Sequence, residues 1–186
     1  IGMRNIINKF IVIGLSLLIT TAALAQNLVP VDDASAVKFS IKNFGISTSG
    51  DFKGLKGKIV FDALNTAAST FNVTVDASTI DTDINARDNH IKKEDYFDVS
   101  KYPVISFAST KITASASSGS FLITGNITIK GITKEVSFPF TVAEKNDGFI
   151  FTGNFKLNRR DFKVGGNSIS LSDNLTVSLS VYAKRV

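Results

Sequence analysis

The chain has 186 residues, fifteen phenylalanines, no cysteine, no tryptophan and a formal net charge of +5. Lacking cysteine, and with His90 as its sole histidine, it can build neither a disulfide framework nor a thiolate or multi-histidine metal site. Its lysines are scattered rather than gathered into a stripe that would neutralise a row of phosphates, so nucleic acid is excluded as a partner.

Residues 1–25 read as an export signal. Arg4 and Lys9 precede an apolar run from Phe10 to Ile19, and the small-residue segment Ala23-Leu24-Ala25 stands before Gln26. Ile1 and Gly2, ahead of the sole methionine Met3, carry no structural information. The run is too short for a retained anchor of about 20 residues, so the expected product is periplasmic or secreted with no integral membrane association. Removing the segment takes away Arg4 and Lys9 and no acid, which leaves one domain, 26–186, with net charge +3.

From Val37 onward the hydrophobic period is two, the signature of strands with one buried face. Val37, Phe39 and Ile41 alternate with Lys38, Ser40 and Lys42, and a glycine-rich turn region at Gly54 and Gly57 precedes Ile59 and Phe61. Phe71, Val73 and Val75 form the next strand. Asp81 to Lys101 breaks the alternation and is dense in charge, so a helical excursion is expected near residues 84–98, with Ala86 to Lys93 helical and Asn85 or Asp83 as cap. Pro103 then restores extended structure. Ile105 and Phe107, the series Phe121 to Ile129, and Val136, Phe138, Phe140 and Val142 follow. Asn146-Asp147-Gly148 reads as a hairpin connection to Phe149, Phe151, Phe155 and Leu157, and Leu175 to Val181 is the last strand. About eight strands at hairpin spacing imply an all-β antiparallel sandwich or barrel. An outer-membrane barrel needs aromatic girdles, which a chain with only Tyr96, Tyr102 and Tyr182 beside its in-strand phenylalanines does not supply.

Motifs for chemistry are weak. Asp81, Asp83 and Asn85 have the first three spacings of a calcium loop, but Ala86 stands where glycine is required and Lys92 where the closing glutamate belongs. Gly45-Ile46-Ser47-Thr48-Ser49-Gly50 misses a nucleophile elbow by one residue. Asp88, Asp95 and Asp98 cluster around Arg87 and His90, an arrangement that reads as a solvated connector rather than a catalytic set. No catalytic residue, metal or cofactor is therefore expected. The phenylalanines on the buried parity either fill a core or line a ligand channel, and an eight-stranded barrel is wide enough for both.

From Asp76 through Thr110 the chain resembles the YceI-like family of bacterial periplasmic proteins. The carriers are Asp76-Ala77-Ser78-Thr79-Ile80, Arg87-Asp88-Asn89-His90-Ile91, Tyr96-Phe97-Asp98-Val99 through Tyr102-Pro103, and Ile105-Ser106-Phe107-Ala108-Ser109-Thr110. Gly125 to Lys134 and Asn158-Arg159-Arg160-Asp161-Phe162 continue the likeness. Two positions depart from it: Lys42 and Asn43 stand where many members have histidine, and Lys163 replaces the usual glycine after Asp161-Phe162.

The resemblance implies an eight-stranded antiparallel, lipocalin-like barrel that binds, transports or sequesters a long-chain apolar ligand, such as an isoprenoid, a quinone tail or a fatty amide. Its implied lining, on parity, is Phe39, Ile41, Phe61, Val73, Val75, Phe107, Ile127, Phe138, Phe140, Phe151 and Phe155. Arg87, Asp88, His90, Arg160 and Asp161 are the expected mouth residues, placed to meet a head group. The alternatives are a filled-core barrel acting through its surface as a secreted interaction or stress-response protein, with a homodimer as one form, and a lipid-modifying enzyme.

Overall fold

The alternating segments become strands that the computed structural model, which describes residues 25–186, joins into one closed antiparallel sheet. The expected export signal lies outside the described residues except for Ala25. The strands are β1 (Gln26–Pro30), β2 (Ala36–Asn43), β3 (Ile46–Phe61), β4 (Thr70–Asp81), β5 (Val104–Ala114), β6 (Ser120–Ile129), β7 (Ile132–Lys145), β8 (Gly148–Asn158) and β9 (Leu171–Arg185), with one helix, α1 (Asn85–Ile91). Each of β2 to β9 pairs with its sequence neighbour except across the gap between β2 and β9, which pair with each other and close the ring.

Nine strands fill eight positions. β1 and β2 share one, because β1 pairs with the far ends of β3 and β9 and β2 with their near ends. A 3-10 turn, Asp32–Ala34, separates the two and interrupts the ladder on both sides. Backbone N–H groups left without a strand partner need another acceptor. The Asp32 carboxylate takes the N–H groups of Gly54 and Leu55 at 3.0 and 2.8 Å, and Ser35 Oγ takes that of Tyr182 at 3.1 Å.

Gly54 and Gly57 do not form the turn region that their spacing suggests. Both lie inside β3, where the register against β4 shifts between Asp51 and Lys56. These bulges bend a sixteen-residue strand around the barrel. Gly57, at φ +136°, is required there, since a Cβ would stand 2.1 Å from the Asn72 carbonyl oxygen.

The helical excursion is shorter than expected, and its cap is different. Ile84 is the N-cap and makes no side-chain capping bond, Asn85 is already helical, and after Ile91 the chain runs through turns to Lys101. The stabilising carboxylate comes from inside the helix. Asp88, buried, reaches back to accept the Thr82 N–H at 3.0 Å and the Thr82 hydroxyl, which removes the need for an Asp83 or Asn85 cap.

The inward faces divide the barrel into a packed end and a hollow end. At the end holding the β3–β4, β5–β6 and β7–β8 connections, Phe61, Phe121, Phe149 and Phe151 pack with Leu28 and Ala183 into a closed floor. The rings of Phe121, Phe149 and Phe151 surround Phe61 at centroid distances of 5.3, 5.8 and 5.4 Å, all edge-on, the arrangement that aromatic quadrupoles favour. Towards the opposite end the inward residues Val37, Phe39, Ile41, Ile105 and Val177 are only half-buried, because no side chain fills the space before them.

Candidate functional site

That space is an elongated apolar lumen in two chambers, with cavity volumes of about 190 and 140 Å³. Val37, Val75, Ile105, Ile127 and Val177 line both and form the waist between them. The inner chamber ends on Phe71, Phe138, Phe140 and Phe151. In the outer chamber, Ile91 of α1 and Phe97 of the following turn roof the opening, and the Phe97 ring meets Phe52 edge-on at 5.7 Å.

Ten of the eleven residues expected as lining border the cavities. Phe39 and Ile41 face the outer chamber, Val73, Phe107, Phe138, Phe140, Phe151 and Phe155 the inner one, and Val75 and Ile127 both. Phe61 does not reach the lumen; parity turns it inward, but it lies below the inner chamber in the closed floor.

The expected mouth residues separate. Arg87 borders the outer chamber, where its Nε donates to Thr82 Oγ1 at 2.7 Å and one Nη2 hydrogen to the Thr82 carbonyl. Its Nη1 makes no hydrogen bond within the described residues, so donors remain that can meet an acceptor at the mouth. Asp88 is committed to Thr82 and lies away from the opening. His90 is on the outer surface with its ring 5.0 Å from that of Tyr96, Arg160 bonds Asn167, and Asp161 is exposed.

Of the adjacent arginines after β8, Arg159 rather than the expected Arg160 faces the lumen. Continuing the inward parity of β8 from Phe151 through Phe155 and Leu157 leads to 159, not 160. All five of its N–H hydrogens are used: Nε on Ser172 O, Nη1 on Val164 O and Gly166 O, Nη2 on Leu171 O and Asp173 Oδ1. Such a saturated guanidinium fastens the 163–173 segment over the barrel end and has nothing left for a ligand.

Asn43 was outside the expected set and is the polar feature of the chamber that stands out. It sits at the end of β2 on the inward parity, and its Oδ1 is the sole buried side-chain polar atom among the described residues without a hydrogen-bond partner. A buried acceptor left unpaired costs about 1–3 kcal/mol, which a donor on an incoming molecule recovers. Apart from Asn43, the arginines and a few threonine and lysine side chains at its border, the chamber is lined by apolar residues, and among the described residues no three acidic or histidine side chains gather as metal ligands.

A closed antiparallel barrel with an apolar lumen, roofed by one short helix, defines a lipocalin-like barrel protein. The YceI-like domain profile matches residues 29–183, and the chain belongs to that family. A UPF0312 protein of Yersinia enterocolitica is 31% identical over 158 residues, 80% of each chain, and protein YceI of Escherichia coli is 31% identical over 154 residues, 78% of each. Among solved structures, Burkholderia cenocepacia BcnA superposes with TM-score 0.76 at 27% identity, over 81% of this chain and 96% of that one. A polyisoprenoid binding domain from Saccharophagus degradans has the same fold, with TM-score 0.68 at 12% identity over 88% of this chain and all of that one.

Proposed function

We propose that the protein is an exported, non-catalytic carrier that sequesters one long isoprenoid-type lipid, tail in the lumen and head at the mouth. The observation that carries this reading is the pair of adjoining apolar chambers inside the barrel, closed at one end by phenylalanines. A filled core would need no such space, and a soluble barrel with an unfilled apolar interior loses packing that a bound chain restores. The fold shared with a polyisoprenoid binding domain favours a branched, unsaturated tail among apolar chains.

The energetics assign the two ends different tasks. Burying a methylene is worth about 0.8 kcal/mol, so the tail supplies affinity in proportion to its length. The Asn43 oxygen takes a hydroxyl or N–H donor of the head and Arg87 an acceptor, each worth about 1–3 kcal/mol, which orients the head without carrying binding. Native mass spectrometry of the protein purified from its own envelope, with organic extraction of the bound fraction, tests the reading. One apolar chain per barrel is the expected result. Protein that is empty as purified and takes up no added polyprenol overturns it.

A further inference from the structure

The β2–β3 hairpin turns through Phe44 and Gly45, whose φ angles are +50° and +76°. A two-residue turn with both centres left-handed favours Asn-Gly or Asp-Gly, because a bulky side chain is strained in that region. The same chain uses asparagine where the β7–β8 turn needs a positive φ, at Asn146. At the β2–β3 tip it instead holds an aromatic ring that is 80% exposed. Neither backbone preference nor core packing accounts for phenylalanine there, and positions that break local rules without a folding gain point to function.

Phe44 has apolar company. Ile46 is 72% exposed, and Ile169 is fully exposed one residue from Ser170, whose carbonyl accepts the Phe44 N–H at 2.8 Å. These three residues flank Asn43 and Leu171, which line the outer chamber, so the apolar tip stands on the rim of the lumen. Residues 41–50 and 164–172 contain no aspartate or glutamate, and their one charge is Lys42; Lys163 lies apart, beside Glu94, Asp95 and Lys130. An acid-free apolar tip that carries Lys42 beside it complements the boundary between anionic head groups and acyl chains.

We propose that this tip is a membrane-docking surface: Phe44, Ile46 and Ile169 enter the interfacial layer of a bilayer and hold the mouth against it. A tail then passes between bilayer and barrel without crossing water. The proposal rests on the lumen holding a lipid tail, and its test separates the two ideas.

The absence of tryptophan makes each introduced indole a lone reporter. Phe44→Trp and, at the plugged end, Leu64→Trp, a site 84% exposed, are titrated with mixed phosphatidylcholine–phosphatidylglycerol vesicles, some carrying brominated acyl chains. A blue shift and bromine quenching for Phe44→Trp but not Leu64→Trp is the expected result. Phe44→Asn, which suits the turn better, should fold at least as stably and weaken vesicle partitioning at least about tenfold. Its retention of extracted lipid should match wild type. No shift at Phe44→Trp, or equal shifts at both sites, overturns the proposal. Wild type that sediments as a dimer while Phe44→Asn is monomeric also overturns it, since a second copy then covers the tip. Vesicle binding by a barrel that never contains lipid would leave the docking surface standing and remove the carrier reading.

Discussion

Single residues set local energies that can be checked one at a time. Lys163 occupies the left-handed region, φ +55°, where it ends the 3-10 turn Arg159–Phe162, a conformation that glycine adopts without strain and lysine does not. Lys163→Gly should raise stability by about 0.5–1 kcal/mol, read as a higher urea midpoint at unchanged slope. At the other end, the Tyr182 hydroxyl donates to Asp147 Oδ1, holding that carboxyl below its ordinary 3.8 and the phenol above its ordinary 10.0. The carboxylate contribution is present above 3.8 and is lost as pH falls through the lowered folded value. The phenol contribution is present below 10.0 and is lost as pH rises through the raised one. The stability difference between wild type and Tyr182→Phe should therefore plateau between these limits and shrink on both sides, as measured by urea unfolding across pH. Residue roles were the least legible part of the sequence. Asp88, in a charge-dense stretch, reads as a mouth residue, yet its partner Thr82 six positions earlier is found only once the helix folds back. Arg159 was within reach of strand parity, because nothing but its place after Leu157 distinguishes it from Arg160.

At the scale of elements, period-two patterning located β2 and β4 to β9 because each has one apolar face. It failed on β3 between Ile46 and Lys58, where bulges reset the register and serines, glycines and lysines blur the alternation. It missed the division of one strand position between β1 and β2, which depends on a side chain replacing ladder hydrogen bonds. Asp32→Ala should test that replacement. Removing both acceptors leaves the N–H groups of Gly54 and Leu55 unpaired, so a loss of about 1–2 kcal/mol is expected, with faster amide exchange confined to β3 around Gly54. Equal protection in variant and wild type would show that water serves those groups as well.

For the whole molecule, strand number and spacing left a sandwich and a barrel both open and the family resemblance pointed to closure, whereas hollowness was not readable from the residues, because it is the difference between the barrel's width and the summed volume of the side chains pointing inward. Phe61 and Phe39 share a residue type and a parity, yet one plugs the floor and the other borders open space. The waist offers a direct test of whether both chambers serve one ligand. Val177→Trp fills the ring between them, and since it occupies existing space it should lower stability by less than about 1.5 kcal/mol. Its extract should lack the long chain expected with wild type, or contain only shorter ones. An unchanged extract would mean that the inner chamber is not used.

The phenylalanine floor also has a kinetic meaning. A tube sealed at one end loads and empties through the same aperture, so the lipid proposed above would enter tail first and would have to withdraw its full length before another could follow. If each methylene drawn back into water adds about 0.8 kcal/mol to the barrier, residence time lengthens about fourfold per carbon. Spontaneous release then becomes slow for long chains, and handover depends on an acceptor that meets the tail as it emerges.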